Sequence, residues 1–120
     1  MSQVHATPAP SHPDVLVVGA GPAGSIAALI LARAGVRVRL VDRARFPREK
    51  LCGDTLNPGA LALLDRLGVS SDVRARGLPV TRMIVTGPGG ARIEGDYEGG
   101  FRGRAITRRD LDVLLLEEAT

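Results

Sequence analysis

The residues whose types and spacing could do chemistry are concentrated in Asp14–Asp42, DVLVVGAGPAGSIAALILARAGVRVRLVD. Gly19, Ala20, Gly21, Pro22, Ala23 and Gly24 fit the pattern G-x-G-x-x-G, and Asp42 follows 23 residues after Gly19. Glycines at this spacing permit a tight turn, let a phosphate approach the backbone, and let a helix sit close on a strand. An acid at about this distance suits the ribose hydroxyls of an adenine dinucleotide. An acid rather than a base at position 42 favours a free ribose, as in FAD or NAD, over a 2′-phosphate, although Arg43 stands beside it. The chemistry expected is dinucleotide binding, with the pyrophosphate at the N–H groups of a helix N-terminus. No Ser-His-Asp set, H-E-x-x-H motif or paired-carboxylate site competes with it. The single cysteine, Cys52, gives neither an internal disulfide nor a zinc pattern, so no metal site is expected.

The elements that must position these residues can be read around them. Val15–Val18 is an apolar run suited to the centre of a parallel sheet. Pro22 suits a first helical turn, where its missing N–H costs nothing. The helix should run to about Ala34 and stop at Gly35. Arg33 is its only charge, so it should be covered on more than one side. Val36, Val38 and Leu40 then alternate with Arg37 and Arg39, and Val41 leads into Asp42. This is a βαβ unit.

The bulk composition is globular, with 44% hydrophobic and 24% charged residues. Aromatic residues are few, so aliphatic side chains must form the core. The net charge of +3 comes from sixteen basic residues, all arginine except Lys50, against thirteen acids. The arginines alternate with acids and apolar residues. No dense basic face with stacking aromatics exists to bind nucleic acid. Residues 1–13 are polar and Pro-rich and read as a disordered leader without a signal-peptide core. His5 and His12 fall in it as solvated side chains. The apolar helix is too short to span a bilayer. A reducing, cytoplasmic location follows as the expectation.

Beyond Asp42, Phe46-Pro47 breaks regular structure, and Leu51-Cys52-Gly53-Asp54 reads as a loop whose glycine admits close approach to a ligand. Asn57-Pro58 is a helix start, Leu61, Leu64 and Leu67 share its inner face, and Gly68 ends it. Ser70–Pro79 reads as a polar connection. Val80–Thr86 is rich in β-branched residues and reads as a strand. Gly87–Gly90 is a turn, and Ala91–Asp96 alternates as a half-buried partner strand, giving an antiparallel hairpin. Gly95–Gly103 reads as a flexible loop or a wall of a substrate cavity. Arg104–Ile106 reads as a short strand. Thr107 and Asp110 form a capping box for a last helix with Leu111, Leu114 and Leu115 on one face. Arginines in its first turn oppose the helix dipole, so a nearby anion would explain them.

The pairing of GAGPAG and VDR with FPREKLCGDTLNPGALALLDRLGV resembles the N-terminal part of the geranylgeranyl reductase family. That family lies within the FAD-dependent oxidoreductases resembling p-hydroxybenzoate hydroxylase and the flavin-dependent halogenases. Arg108, Leu111, Asp112 and Leu115 fit the family's R-x-x-L-D-x-x-L pattern. The resemblance covers nearly all of Asp14–Thr120, and the F-P-R-x-K-x-C-G-D run is its most specific part. It implies that Asp42 holds the adenosine ribose and that Arg43 lies near the adenine or ribose. It implies that the Arg48–Asp54 loop passes along FAD, with Cys52, Gly53 and Asp54 near the flavin end. Cys52 is then a candidate catalytic residue; a small buried hydrophobe is its alternative. Arg48 and Lys50 have solvated charge as theirs. Arg104 and Arg108 are carried over as contacts to the FAD backbone, with surface charge as the alternative.

The fold class expected is α/β: an incomplete Rossmann-like FAD-binding domain of a βαβ unit, a helix, an antiparallel hairpin and a terminal helix. Residues 14–120 read as the N-terminal part of that domain, in a chain that looks truncated and inactive alone. It should expose a sheet edge and apolar surface. The resemblance implies a flavin-dependent oxidoreductase using FAD, with NAD(P)H as electron donor. Its reaction would be reduction of a double bond in an isoprenoid-like, apolar small molecule. Membrane-surface association would come only through a lipid substrate. An FAD-dependent aromatic monooxygenase or halogenase is the first alternative, and a non-catalytic dinucleotide-binding fragment the second. An NAD-dependent dehydrogenase is disfavoured, because the chain turns to a hairpin after its second helix.

Overall fold

The computed structural model describes residues 12–120. The leader expected over residues 1–13, with His5, lies almost wholly outside them. The described residues fall into two compact units, residues 12–51 with 108–120 and residues 52–107. Within them, no helix is long and apolar enough to cross a membrane.

The first unit holds β1 (Val15–Val18), α1 (Pro22–Arg33), β2 (Val38–Val41) and α4 (Arg108–Glu118). β1 and β2 pair in parallel, Val15 opposite Val38 and Val18 opposite Val41. That is the crossover a βαβ unit requires. Asp14 and Arg37 fasten the lower end: the Arg37 guanidinium donates to both Asp14 carboxylate oxygens at 3.0 and 2.8 Å. α1 packs on both strands and on α4, so it is covered on more than one side, though Ile30 stays exposed. Its buried residues are Ser25, Ala28 and Leu29; those of α4 are Leu111, Asp112, Leu114 and Leu115. β1 is less enclosed than its composition suggests. Leu16 and Val18 are exposed, because they alternate onto the face of β1 away from Val15 and Val17, and among the described residues that face is left uncovered.

The second unit holds β3 (Thr55–Leu56), α2 (Pro58–Leu67), α3 (Ser71–Arg76), β4 (Leu78–Val80), β5 (Arg82–Thr86), β6 (Arg92–Asp96) and β7 (Gly103–Ala105). β7 is the middle strand of an antiparallel trio, with β3 and β4 on its edges. Pro79 lies on an edge strand, where its missing N–H removes no interior ladder bond. α2 starts as the sequence predicts: Asn57 Oδ1 accepts from the Ala60 N–H at 2.8 Å. It ends at Gly68, whose φ of 72° is left-handed. Leu61 and Leu64 face the interior with Val69, Val73 and Ile106.

Three expectations need correction here. Ser70–Pro79 is not a plain connection. It folds as α3 and most of β4, because Val73 is completely buried and Asp65 on α2 ties down both Ser70 and Arg74. The strand expected over Val80–Thr86 is two strands, broken at Thr81. The β5–β6 hairpin is antiparallel, with Ile84 opposite Glu94, but β6 is not half-buried. Both of its strands are exposed throughout, since the two form a sheet of their own. Met83, Ile84, Val85 and Ile93 are therefore exposed apolar side chains.

Candidate dinucleotide-binding site

The site is built at the turn from β1 into α1. Gly19 has a φ of +107°, which a side chain would strain. Gly24 faces a different constraint. A Cβ there would stand 1.7 Å from the carbonyl oxygen of Gly19, so the helix lies on the strand with no room for a methyl group. Gly21 has ample room in the chain itself; a Cβ would meet nothing nearer than the Nη2 atoms of Arg48 and Arg108, both at 3.6 Å. What distinguishes Gly21 is the pair of guanidinium groups facing its open side.

The loop is held from two directions. The Ala20 N–H donates to Asp42 Oδ2 at 2.8 Å. The fully buried Ser25 hydroxyl donates to the Ala20 carbonyl at 3.1 Å. Sequence reading missed Ser25; a polar residue on the buried side of an otherwise apolar helix is the signal that could have found it. The N–H of Ala20 is thus engaged within the chain. At the start of α1, Gly21 supplies no side-chain cap and Pro22 has no N–H, which leaves the first-turn donors of Ala23 and Gly24 without a side-chain partner there.

Asp42 ends β2 and accepts a second bond on Oδ1, from the Ala44 N–H at 2.8 Å. These two backbone donors, Ala44 first, hold its carboxyl below the usual range, and the charges of Arg48 and Arg43 add to the effect. A carboxylate has about four acceptor positions, so each oxygen keeps capacity for a hydroxyl. Gly19, Asp42, Arg43, Arg48, Glu49 and Lys50 line a cleft of about 550 Å³ beside the loop.

Arg48 and Arg108 meet on Asp112. The Asp112 side chain is wholly buried. Arg108 donates to it through Nε at 2.7 Å and Nη2 at 3.1 Å, a forked pair one helical turn apart. Arg48 Nη1 approaches Asp112 Oδ2 at 3.1 Å, and its guanidinium lies over the Phe46 ring at 4.8 Å from the centroid. Neither arginine is a solvated surface charge; their side chains are 18% and 19% exposed. Lys50, in contrast, is exposed.

The sequence-predicted residues thus separate. Gly19 to Gly24, Asp42, Arg43, Arg48 and Arg108 belong to the first unit. Cys52, Gly53, Asp54 and Arg104 belong to the second. Cys52 is exposed. A Cβ on Gly53 would meet only Thr55 Oγ1, at 3.9 Å, so packing does not require glycine there. Asp54 has a φ of 51°, and its carbonyl accepts from the Ile106 N–H at 2.8 Å. Arg104, in β7, lines a hollow of about 300 Å³ with Leu61, Arg74, Phe101 and Arg102.

The residues of the first unit fit the ADP end of FAD. A glycine faces two held guanidinium groups, an acceptor-rich carboxylate ends the second strand, and a helix starts without a side-chain cap. Fold and site together define a protein of the dinucleotide-binding α/β class. The chain belongs to the FAD binding domain family, whose model matches residues 12–120; these are FAD-dependent oxidoreductases and monooxygenases. The menaquinone reductase of Mycobacterium tuberculosis is 44% identical over 106 residues, 82% of this chain and 24% of that protein. The geranylgeranyl diphosphate reductase of Rhodobacter capsulatus is 39% identical over 106 residues, 88% of this chain and 25% of that protein. The crystal structure of CmlS, a flavin-dependent halogenase, superposes with a TM-score of 0.73 at 30% identity, covering 92% of this chain and 21% of that one. The chain spans about 24% of the length of the menaquinone reductase it matches.

Proposed function

We propose that residues 12–51 and 108–120 form the ADP-binding end of the FAD site in a flavin-dependent reductase. It would draw on NAD(P)H and reduce a double bond in an isoprenoid-like, apolar substrate. The observation that carries the cofactor half of this reading is the convergence of Arg48 and Arg108 on the open face of Gly21. Two guanidinium groups bring more positive charge than the one Asp112 carboxylate offsets, and planar guanidinium forks match phosphate oxygens. Asp42 would accept the ribose hydroxyls, with Arg43 beside the adenine or ribose. Ala23 and Gly24 would offer N–H groups to the pyrophosphate. Cys52, Gly53 and Asp54 are assigned to the flavin end, and Arg104 to the FAD backbone. Bound FAD would supply the redox chemistry, while these residues would bind it, orient it and exclude water.

Reduction is supported by the FPREKLCGD stretch and by two relatives whose names are those of reductases. The likeness to a flavin-dependent halogenase favours a second reading, an FAD-dependent monooxygenase or halogenase on the same fold. A cytoplasmic location goes with either. The experiment is expression of the longest reading frame containing this chain, followed by its visible absorption spectrum and anaerobic addition of NADH or NADPH. Flavin bands that bleach, with transfer to an isoprenoid double bond under anaerobic conditions, are the expected result. Turnover that requires oxygen would move the reading to the second class. A colourless protein that takes up NAD but not FAD would end both.

A further inference from the structure

We propose that Asp112 is a positioning residue for the phosphate site, a buried carboxylate that fixes the Arg48 and Arg108 guanidinium groups as one anion-binding fork over Gly21. The inference rests on the reading of that loop as the dinucleotide's phosphate site.

The arrangement is energetically costly. Asp112 shares the inner face of α4 with Leu111, Leu114 and Leu115 and is completely buried. A buried ion pair is weak support for stability, since an apolar residue of similar volume often serves as well or better. The carboxylate therefore calls for another reason, and its partners supply one. Both are arginines, from segments 60 residues apart in sequence, and the Nη2 of each lies 3.6 Å from where a Cβ on Gly21 would stand.

The arrangement also leaves hydrogen-bonding capacity free on Arg48. Arg108 is committed to Asp112 through Nε and Nη2. Arg48 Nη1 is buried and lies within ion-pair range of Asp112, yet makes no aligned hydrogen bond. Arg48 is therefore anchored by charge on one edge and by the Phe46 ring below, with donors left for an acceptor on the Gly21 side. The trio carries a net +1. A free arginine loses rotamer freedom when it grips an anion; here Asp112 imposes much of that order beforehand, which raises affinity without a new contact. Asp112 also supplies an anion for the arginine in the first turn of α4, a position the helix dipole disfavours.

The test compares ADP with adenosine as probes of the full chain, by calorimetry or NMR titration. Asp112→Asn keeps the side-chain volume and removes the charge. Its ADP affinity should fall roughly tenfold to a hundredfold, while adenosine binding, which depends on Asp42, stays within about twofold. Asp112→Glu should recover part of the ADP affinity. A folded Asp112→Asn protein with an unchanged ADP-to-adenosine ratio overturns the proposal. Should that variant fail to fold, Arg48→Lys and Arg108→Lys carry the test, because each keeps its charge but loses the fork. Loss of the ADP preference in these supports positioning, and its full retention in both overturns it. A wild-type chain that binds adenosine as tightly as ADP would instead refute the phosphate site itself.

Discussion

The backbone N–H of Ala20 donates to the carboxylate of Asp42, 22 residues away in sequence, at 2.8 Å. The acid read from the sequence as a ribose acceptor is therefore also a strut of the glycine loop. The other Asp42 oxygen accepts from Ala44, so one side chain sets the path of the chain both at the β1–α1 turn and just beyond β2.

Asp42→Asn leaves one acceptor oxygen for two backbone donors. The expected outcome is a lower melting temperature together with an ADP affinity reduced about tenfold, since a hydrogen bond to a charged group is lost. Thermal melts and calorimetry check the two effects separately. A variant that loses affinity at an unchanged melting temperature would mean the strut is unimportant.

Gly21 and Gly24 should fail in opposite ways. A methyl group at position 24 meets the Gly19 carbonyl at 1.7 Å, and backbone cannot yield as a side chain does. Gly24→Ala should cost about 1–3 kcal/mol or more, read by urea denaturation. At position 21 only flexible guanidinium ends lie near. Gly21→Val should keep its midpoint and lose ADP binding, because the branched side chain fills the phosphate approach. Retained ADP affinity in Gly21→Val would reduce the loop to a simple turn.

Among the described residues, three aspartates are held below the usual range. Asp42 is lowered by its bonds from Ala44 and Ala20, Asp14 by Arg37, and Asp65 by Arg74 and then Ser70. Each is more acidic folded than unfolded, so the unfolded chain takes up the proton first as pH falls. Their stabilisation is complete above the ordinary carboxylate range and is lost as pH drops through the lowered folded values. The melting temperature should owe no decline to these groups between about pH 7 and about pH 5 and should fall below the ordinary aspartate value of about 3.9. Asp65→Asn should blunt the acid decline.

Asn57 is the N-cap of α2, accepting from the Ala60 N–H. Asn57→Ala should destabilise by about 1 kcal/mol. Asn57→Asp should restore the cap, and a loss of the same size in both variants would show that the side-chain bond contributes nothing.

Much of the architecture is legible along the chain because its signals are local. Pro22 and Gly35 bracket α1, Asn57 and Gly68 bracket α2, and Gly87–Gly90 turns the hairpin. Each signal acts within a few residues, through a missing N–H, a cap or a left-handed φ. The short α3 was not legible. Its six residues carry one apolar anchor, Val73, and tertiary contacts to Asp65 outweigh its weak local preference. Burial was misjudged in β1 and β6 for a related reason. Alternation says which face of a strand is apolar, but what covers that face is not a property of the strand.

The sequence by itself determined the dinucleotide-binding class. The glycine spacing and Asp42 are dictated by the turn, the helix start and the distance across one βαβ unit, all of them short-range. Only the tertiary structure decided how the phosphate side is furnished. Resemblance marks Arg48 and Arg108 as FAD contacts, but not their meeting on a buried Asp112; α4 packs on α1, and folding brings both guanidinium groups onto that carboxylate beside Gly21. No local rule pairs an arginine at 48 with an aspartate at 112, since that encounter depends on the return of the chain to its first helix.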